Sequence, residues 1–289
     1  MNTDYELIDF GNGRKLERFG TVILDRPEVQ AVGSSSLRMV RWQELASAKF
    51  VETTKSKGKW IQIGEVPESW EFSFENGNQS WKTILGLSPF KHIGLFPEQA
   101  EHWKYLLKIV KKGDRVLNLF GYTGAASLSA AAVGGNVFHV DSSKSIVNKA
   151  ADNASKSRIN GIHWVVEDAL AFAKKEVKRG NKYHFIIMDP PIYGRGKKGE
   201  HWKLEDLLPD LVKTAAALLE REGVLILNTY SPKIEIDDML QLVEASKLRV
   251  SKKGWLSVSA GTRKLNLSRF VLWSLSLKPP CSSHQRCLS

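Results

Sequence analysis

The sequence predicts an α/β protein, a doubly wound and mostly parallel sheet preceded by a small β-rich domain. Three observations predict it. From about residue 90 onward, short apolar runs alternate with amphipathic helical stretches, the pattern of repeated β-α units. Four consecutive runs end in a glycine turn or an acid, as strands do where a doubly wound sheet offers its carboxyl edge to a ligand. Before residue 90 the chain reads as strands and reversals, with Asn12-Gly13 and Asn76-Gly77 as hairpin turns.

In order, Tyr5–Phe10 and Lys15–Phe19 form the first hairpin, and further strands are expected at Trp60–Ile63, Trp70–Phe74 and Trp81–Leu85. The polar, basic stretch from Val32 to Gly58 carries no clear period. A helix is expected over Glu98–Lys112, closed by Gly113. Strands follow at Arg115–Phe120, Asn136–Val140, His163–Val166, His184–Met188 and Val224–Asn228. Helices fit between them at Ala125–Val133, Ser143–Arg158, Ala169–Lys178 and Leu204–Leu219. A last helix, Ile236–Ser246, precedes strands Gly254–Ser259 and Ser268–Leu275, close enough to pair antiparallel. The expected organisation is a β-rich domain over 1–90, a ligand-binding domain over 91–276 and a loose tail over 277–289.

The formal charge of the 289 residues is +11, which favours an anionic partner, nucleic acid first. No run of 18 apolar residues occurs, so no membrane helix is expected, and the polar start Met1–Glu6 does not read as a signal peptide. The two cysteines, Cys281 and Cys287, both lie in the last nine residues. That excludes a disulfide framework and suits the cytoplasm. With His284 they supply ligand types for a metal, but a zinc site wants four ligands, so none is expected.

Chemistry is written at the strand ends. Gly121-Tyr122-Thr123-Gly124 follows the first strand, and glycines permit positive φ and close backbone approach. Asp141 ends the second strand about 20 residues later, where an acid accepts ribose hydroxyls. The loop lacks the third glycine of a dinucleotide fingerprint, so a nucleoside without phosphate, such as that of S-adenosylmethionine, fits it better. A plain strand-to-helix turn is the competing reading. Asp168 follows the third strand, either to accept an adenine amino group or to cap the next helix. Asp189-Pro190-Pro191 ends the fourth. The prolines stop the strand rigidly and leave a carboxylate and backbone carbonyls as acceptors for an amine N–H.

These residues resemble a family. Val116–Gly124, Asp141, Asp168, Asp189-Pro190-Pro191 and the preceding Gly94–Gln99 are similar to the corresponding segments of class I S-adenosylmethionine-dependent methyltransferases. Within them the chain resembles the bacterial large-subunit ribosomal RNA enzymes of the cytosine-5 and guanine-N7 type, over about residues 90–275. The resemblance implies a seven-stranded sheet with a final antiparallel strand. It implies a cofactor site built from Phe96, Gln99, Asn118, Phe120 and Tyr122. Thr123 would belong to it as well, Gly121 and Gly124 would face the methionine part, Asp141 the ribose, Asp168 the adenine, and Asp189 the transferred methyl.

Two departures follow. A β-rich segment stands where family members carry another kind of RNA-binding module. The motif Asn228-Thr229-Tyr230-Ser231-Pro232 holds no cysteine, which covalent cytosine-5 chemistry requires. Methylation of a base nitrogen in ribosomal RNA is therefore the expected activity, with Asp189 and Pro190 orienting the amine and Tyr193 stacking on the base. Arg195, Lys197, Lys198, Arg263 and Lys264 are the expected RNA contacts. The alternatives are an ordinary loop tyrosine at Tyr193, a solvated basic loop, a protein or small-molecule substrate, and a non-catalytic RNA-binding module.

Overall fold

The computed structural model describes residues 4–53, 57–195, 201–243 and 248–275. The N-terminal part holds a five-stranded sheet in the order β1 (Tyr5–Gly11), β2 (Arg14–Phe19), β3 (Val22–Pro27), β4 (Ala48–Glu52) and β5 (Gly58–Gln62). All neighbours are antiparallel except β3 and β4, which run parallel because helix α1 (Met39–Leu45) crosses over between them. A separate hairpin, β6 (Trp70–Asn76) and β7 (Gln79–Leu85), follows. The unassigned stretch of sequence thus contains α1 and β4. Only Trp42 of α1 is buried, so the helix leaves no apolar period to read. Strand β3 was also invisible, because the buried charges Asp25 and Arg26 interrupt its apolar run.

After a 3-10 turn at Pro97–Gln99 and helix α2 (Ala100–Ile109), strands β8 (Arg115–Leu119), β9 (Asn136–Asp141), β10 (Ile162–Val166) and β11 (Tyr183–Met188) alternate with helices. Those helices are α3 (Ala125–Ala132), α4 (Lys144–Ser157) and α5 (Ala169–Lys178). A short pair, β12 (Tyr193–Arg195) and β13 (His201–Lys203), leads into α6 (Leu204–Leu218), β14 (Leu219–Thr229), α7 (Ile236–Gln241), β15 (Arg249–Ala260) and β16 (Arg263–Ser274). The helix expected from Glu98 starts two residues later, since Pro97 opens the tighter turn first.

Seven strands form one sheet in the order β10-β9-β8-β11-β14-β16-β15, with β16 antiparallel to both neighbours. Its faces alternate along each strand. Val116 and Ile187 look toward α2, α3 and α4, whereas Leu117, Ile186 and Met188 look toward α5 and α6. The first of these cores continues into Phe19, Leu24, Phe74 and Trp81 of the N-terminal strands. Trp81 is buried and donates its indole N–H to Ser129 Oγ at 2.9 Å, fastening β7 to α3. Trp81 is therefore core.

The strand order reverses beside β8, whose partners are β9 on one side and β11 on the other. That reversal opens a crevice at the carboxyl ends, where ligands of open α/β sheets bind.

Candidate active site

A cleft of about 710 Å³ lies at this crevice, within the range of small-molecule sites. Its floor is made by strand ends. The loop after β8 is strained: Phe120 and Tyr122 take φ of 61° and 50°, and Gly124 takes 96°. Left-handed backbone at non-glycine residues persists only where surroundings enforce it. Here Asp141 accepts the N–H of Tyr122 at 3.1 Å, and Thr123 Oγ1 donates to the Gly94 carbonyl at 2.6 Å. Gly121 is glycine for a reason the sequence did not reveal: a Cβ there would stand 2.4 Å from the imidazole of His139. That ring hydrogen-bonds Ser127, which also accepts the side-chain amide of Asn118. Asn118 therefore braces the loop from beneath and borders a small recess under it.

Asp141 also accepts the Ser143 N–H at 2.9 Å. Burial raises its pKa, and the backbone donors oppose the shift. Asp168 caps α5 by accepting the Ala171 N–H at 2.8 Å, and it lines the cleft as well. The capping reading of that residue is seen directly, and its place on the cleft leaves its other oxygen open to a ligand.

Asp189 lies at the centre. Gln99 donates to its Oδ2 and Asn228 to its Oδ1, each at 2.6 Å. Burial pushes its pKa up to about 7; the Gln99 hydrogen bond works against this and the nearby Glu98 carboxylate works with it. Tyr230 donates to Glu98 Oε1 at 2.9 Å, while Glu98 Oε2 and Asn228 Oδ1 are buried without partners among the described residues. Such orphans in a site of this kind mark groups awaiting a donor. The turn beyond Asp189 is locked by Trp202, whose indole N–H reaches the Pro191 carbonyl at 2.6 Å. Pro190 is buried, and Tyr193 stands 64% exposed on the rim. Phe96 packs edge-on to Tyr122 and tilted against Tyr230.

Asn228, Tyr230 and Glu98 were not among the expected site residues. A signal existed for Asn228: β11 and β14 pair in parallel with Met188 opposite Leu227, so the next residues, Asp189 and Asn228, must stand side by side.

Of the expected RNA contacts, Arg263 is engaged within the chain. It donates to Asp9 Oδ1 at 2.9 Å and to the carbonyls of Phe10 and Ser34, with its guanidinium 4.1 Å above the Phe10 ring. A guanidinium so enclosed fastens the β15–β16 hairpin to β1 and has no fork left for phosphate. The neighbouring Lys264 is exposed and does not line the cleft. Lys197 and Lys198 lie outside the described residues, as do the Arg195 side chain and the Cys281, His284 and Cys287 tail. Among the described residues no cluster of three His, Cys, Asp or Glu side chains is placed to hold a metal ion.

The cleft floor carries Asp141, Asp168 and Asp189 and no basic side chain, beside the rings of Phe96, Phe120 and Tyr122. This donor set fits a cationic nucleoside: apolar and aromatic walls for a base, acceptors for hydroxyl, amino and ammonium groups, and negative charge for a sulfonium.

The family model for S-adenosylmethionine-dependent methyltransferases matches residues 43–251. The chain is similar to the S-adenosylmethionine-dependent methyltransferase from Agrobacterium tumefaciens. The two are 33% identical with a TM-score of 0.86, over 96% of this chain and 92% of that one. It is also similar to ribosomal RNA large subunit methyltransferase K/L of Alteromonas mediterranea, at 27% identity over 225 residues. The match covers 77% of this chain and 30% of that protein, so the chain spans less than a third of the relative's length. The K/L enzyme of Pseudomonas paraeruginosa is 28% identical, over 73% of this chain and 28% of its own. The acid-lined cleft, the doubly wound sheet around it and the matched span agree: the chain belongs to the S-adenosylmethionine-dependent methyltransferase family.

Proposed function

We propose that this methyltransferase acts on a base nitrogen in RNA, with ribosomal RNA, in the cytoplasm, as the target. The observation that carries the reading is the Asp189 carboxylate, fixed by Gln99 and Asn228 at the end of β11 and followed by a proline turn. S-adenosylmethionine, when bound, supplies a methyl group on a sulfonium, a good leaving group. The chain's task is then alignment and exclusion of water.

Asp141 would accept the ribose hydroxyls, Asp168 the adenine amino group, and the Gly121–Gly124 loop would seat the methionine part beside Phe96, Gln99 and Asn118. Asp189 and the Pro190 carbonyl would hold an amine N–H so that the nitrogen lone pair faces the methyl. Methylation would leave the nitrogen with one N–H proton to lose, and the Asp189 carboxylate would take it and pass it on to water. A carboxylate with a pKa near 7 is a better acceptor for that proton than an ordinary aspartate. The charge of +11 and the names of the relatives support RNA as the bearer of the base. Residues 1–90 would contribute to recognising it, since Lys15, Arg26 and Phe50 share the cleft.

The test is incorporation of tritiated methyl from the cofactor into total RNA from a strain lacking the gene, followed by mass mapping of the modified base. Label on a ring carbon, or transfer only to protein, would defeat the proposal.

A further inference from the structure

The cleft has two unlike ends. Every charge that the catalytic sheet contributes to its floor is negative, whereas the wall from β2, β3 and the linker before Pro97 carries Lys15, Arg26 and Lys91. Two of these cations are already neutralised. The Arg26 guanidinium makes a fork on Glu17 at 2.9 and 2.6 Å, and Lys15 Nζ stands 3.4 Å from Glu17 and 3.6 Å from Glu28. Lys91 differs: among the described residues its ammonium has no acid within ion-pairing distance, although its backbone is pinned where Arg26 donates to its carbonyl at 3.1 Å.

Next to Lys91 stands Phe90, half its surface open to solvent. Its backbone is fixed by two side chains. Ser88 Oγ donates to its carbonyl and accepts its N–H, and the Trp60 indole N–H reaches the same carbonyl at 3.3 Å. The second exposed ring at the cleft, Tyr193, sits on the turn that Trp202 locks. Two open aromatic rings on two held turns, with one unpaired ammonium on the linker that lines the cleft, match a repeating unit of one planar base and one phosphate. A base inside a duplex offers no face to such rings, whereas a splayed one does.

We propose that the Phe90-Lys91 turn, with Tyr193, is the seat of an unpaired stretch of the RNA substrate, Phe90 stacking on a base and Lys91 pairing with a phosphate. The proposal rests on the RNA reading above and narrows it to a single-stranded or looped-out target, held by the N-terminal lip of the cleft.

The experiment uses the full chain and a fluorescein-labelled 12-nucleotide single-stranded RNA of mixed sequence, followed by anisotropy across a salt series. Calorimetry with S-adenosylhomocysteine serves as the check that each variant is folded. Phe90→Ala is expected to weaken the strand about 5- to 100-fold, the effect of losing one base–aromatic stack, and Phe90→Tyr to restore it. Lys91→Met is expected to lower the slope of log K against log salt by about 0.7, one phosphate contact on a single strand. The same sequence as a duplex should bind more weakly than the strand and respond little to either change.

Wild-type protein that binds S-adenosylhomocysteine but no RNA would defeat the RNA reading itself. RNA binding by the wild type with no change in either variant would leave that reading standing and overturn the seat. Competition by a mononucleotide as strong as by the oligomer would also overturn it, by reducing the site to one for free nucleotides.

Discussion

The floor and the wall of the cleft are built on opposite principles. On the floor each acid sits at the end of its own strand and is held by backbone N–H groups or amide side chains, with no cation near it. On the N-terminal wall, Lys91 apart, charges come as ion pairs, Arg26 with Glu17 and Lys15 with Glu17 and Glu28. A carboxylate held by neutral donors keeps its charge available to a ligand. One matched by a guanidinium does not, and serves position instead. The difference shows which charges act on a substrate and which hold the wall that meets it.

The sharpest way to break this contrast is at Asp189. Asp189→Ala should lower kcat by about 10² to 10⁴, the range for losing a positioned proton acceptor, while binding of S-adenosylhomocysteine changes little. An equal loss in both would erase the distinct role of that strand end. On the wall, Glu17→Ala leaves Arg26 buried and unpaired, and urea unfolding should show a loss of about 3–5 kcal/mol. Glu17→Leu with Arg26→Met should recover most of it. If the single change were neutral, the wall would not depend on its pairs.

A smaller effect is expected at Asp141. Asp141→Ala should weaken S-adenosylhomocysteine about 10- to 100-fold by calorimetry, the scale of hydrogen bonds to a charged group, with RNA affinity retained. Smallest per step is the pH response. Turnover should rise about tenfold per pH unit up to about 7 and then level off, as Asp189 ionises. Stability runs the other way. Because the folded pKa lies above the ordinary 3.8, the native state binds the extra proton in between. This group's contribution is full below about pH 4 and is lost as the pH climbs through about 7. A flat rate profile between pH 5 and 7 would remove proton acceptance from Asp189.

The same contrast explains what could be read in advance. The floor is local: a buried run such as Phe185–Met188, then an acid, then prolines, declares both a strand and its end. Asp141 and Asp168 follow the same logic, and helix α5 was legible to the residue. The wall is not local. Arg26 and the Lys91 carbonyl are 65 residues apart in sequence, and no period links them. Buried Asp25 and Arg26 also hid the strand that carries them. Even on the floor, the need for glycine at Gly121 comes from the ring of His139 on the next strand, which proximity in sequence could not reveal. The Arg263 contact is hidden for the same reason, since a basic turn looks free until Asp9 is found beside it.

That last contact joins residues 254 positions apart. A nascent chain exposes Asp9 early and must wait for Arg263, which at ~5–20 residues per second is roughly 13 to 50 seconds. Meanwhile Asp9 holds its loop through Trp42, Ser36 and Leu37. Strand β16 arrives in the same late moment, wedging between β14 and β15. The β15–β16 hairpin thus completes the sheet and clamps β1 in one step. A truncated translation product, lacking that clasp, would not assemble a finished cleft.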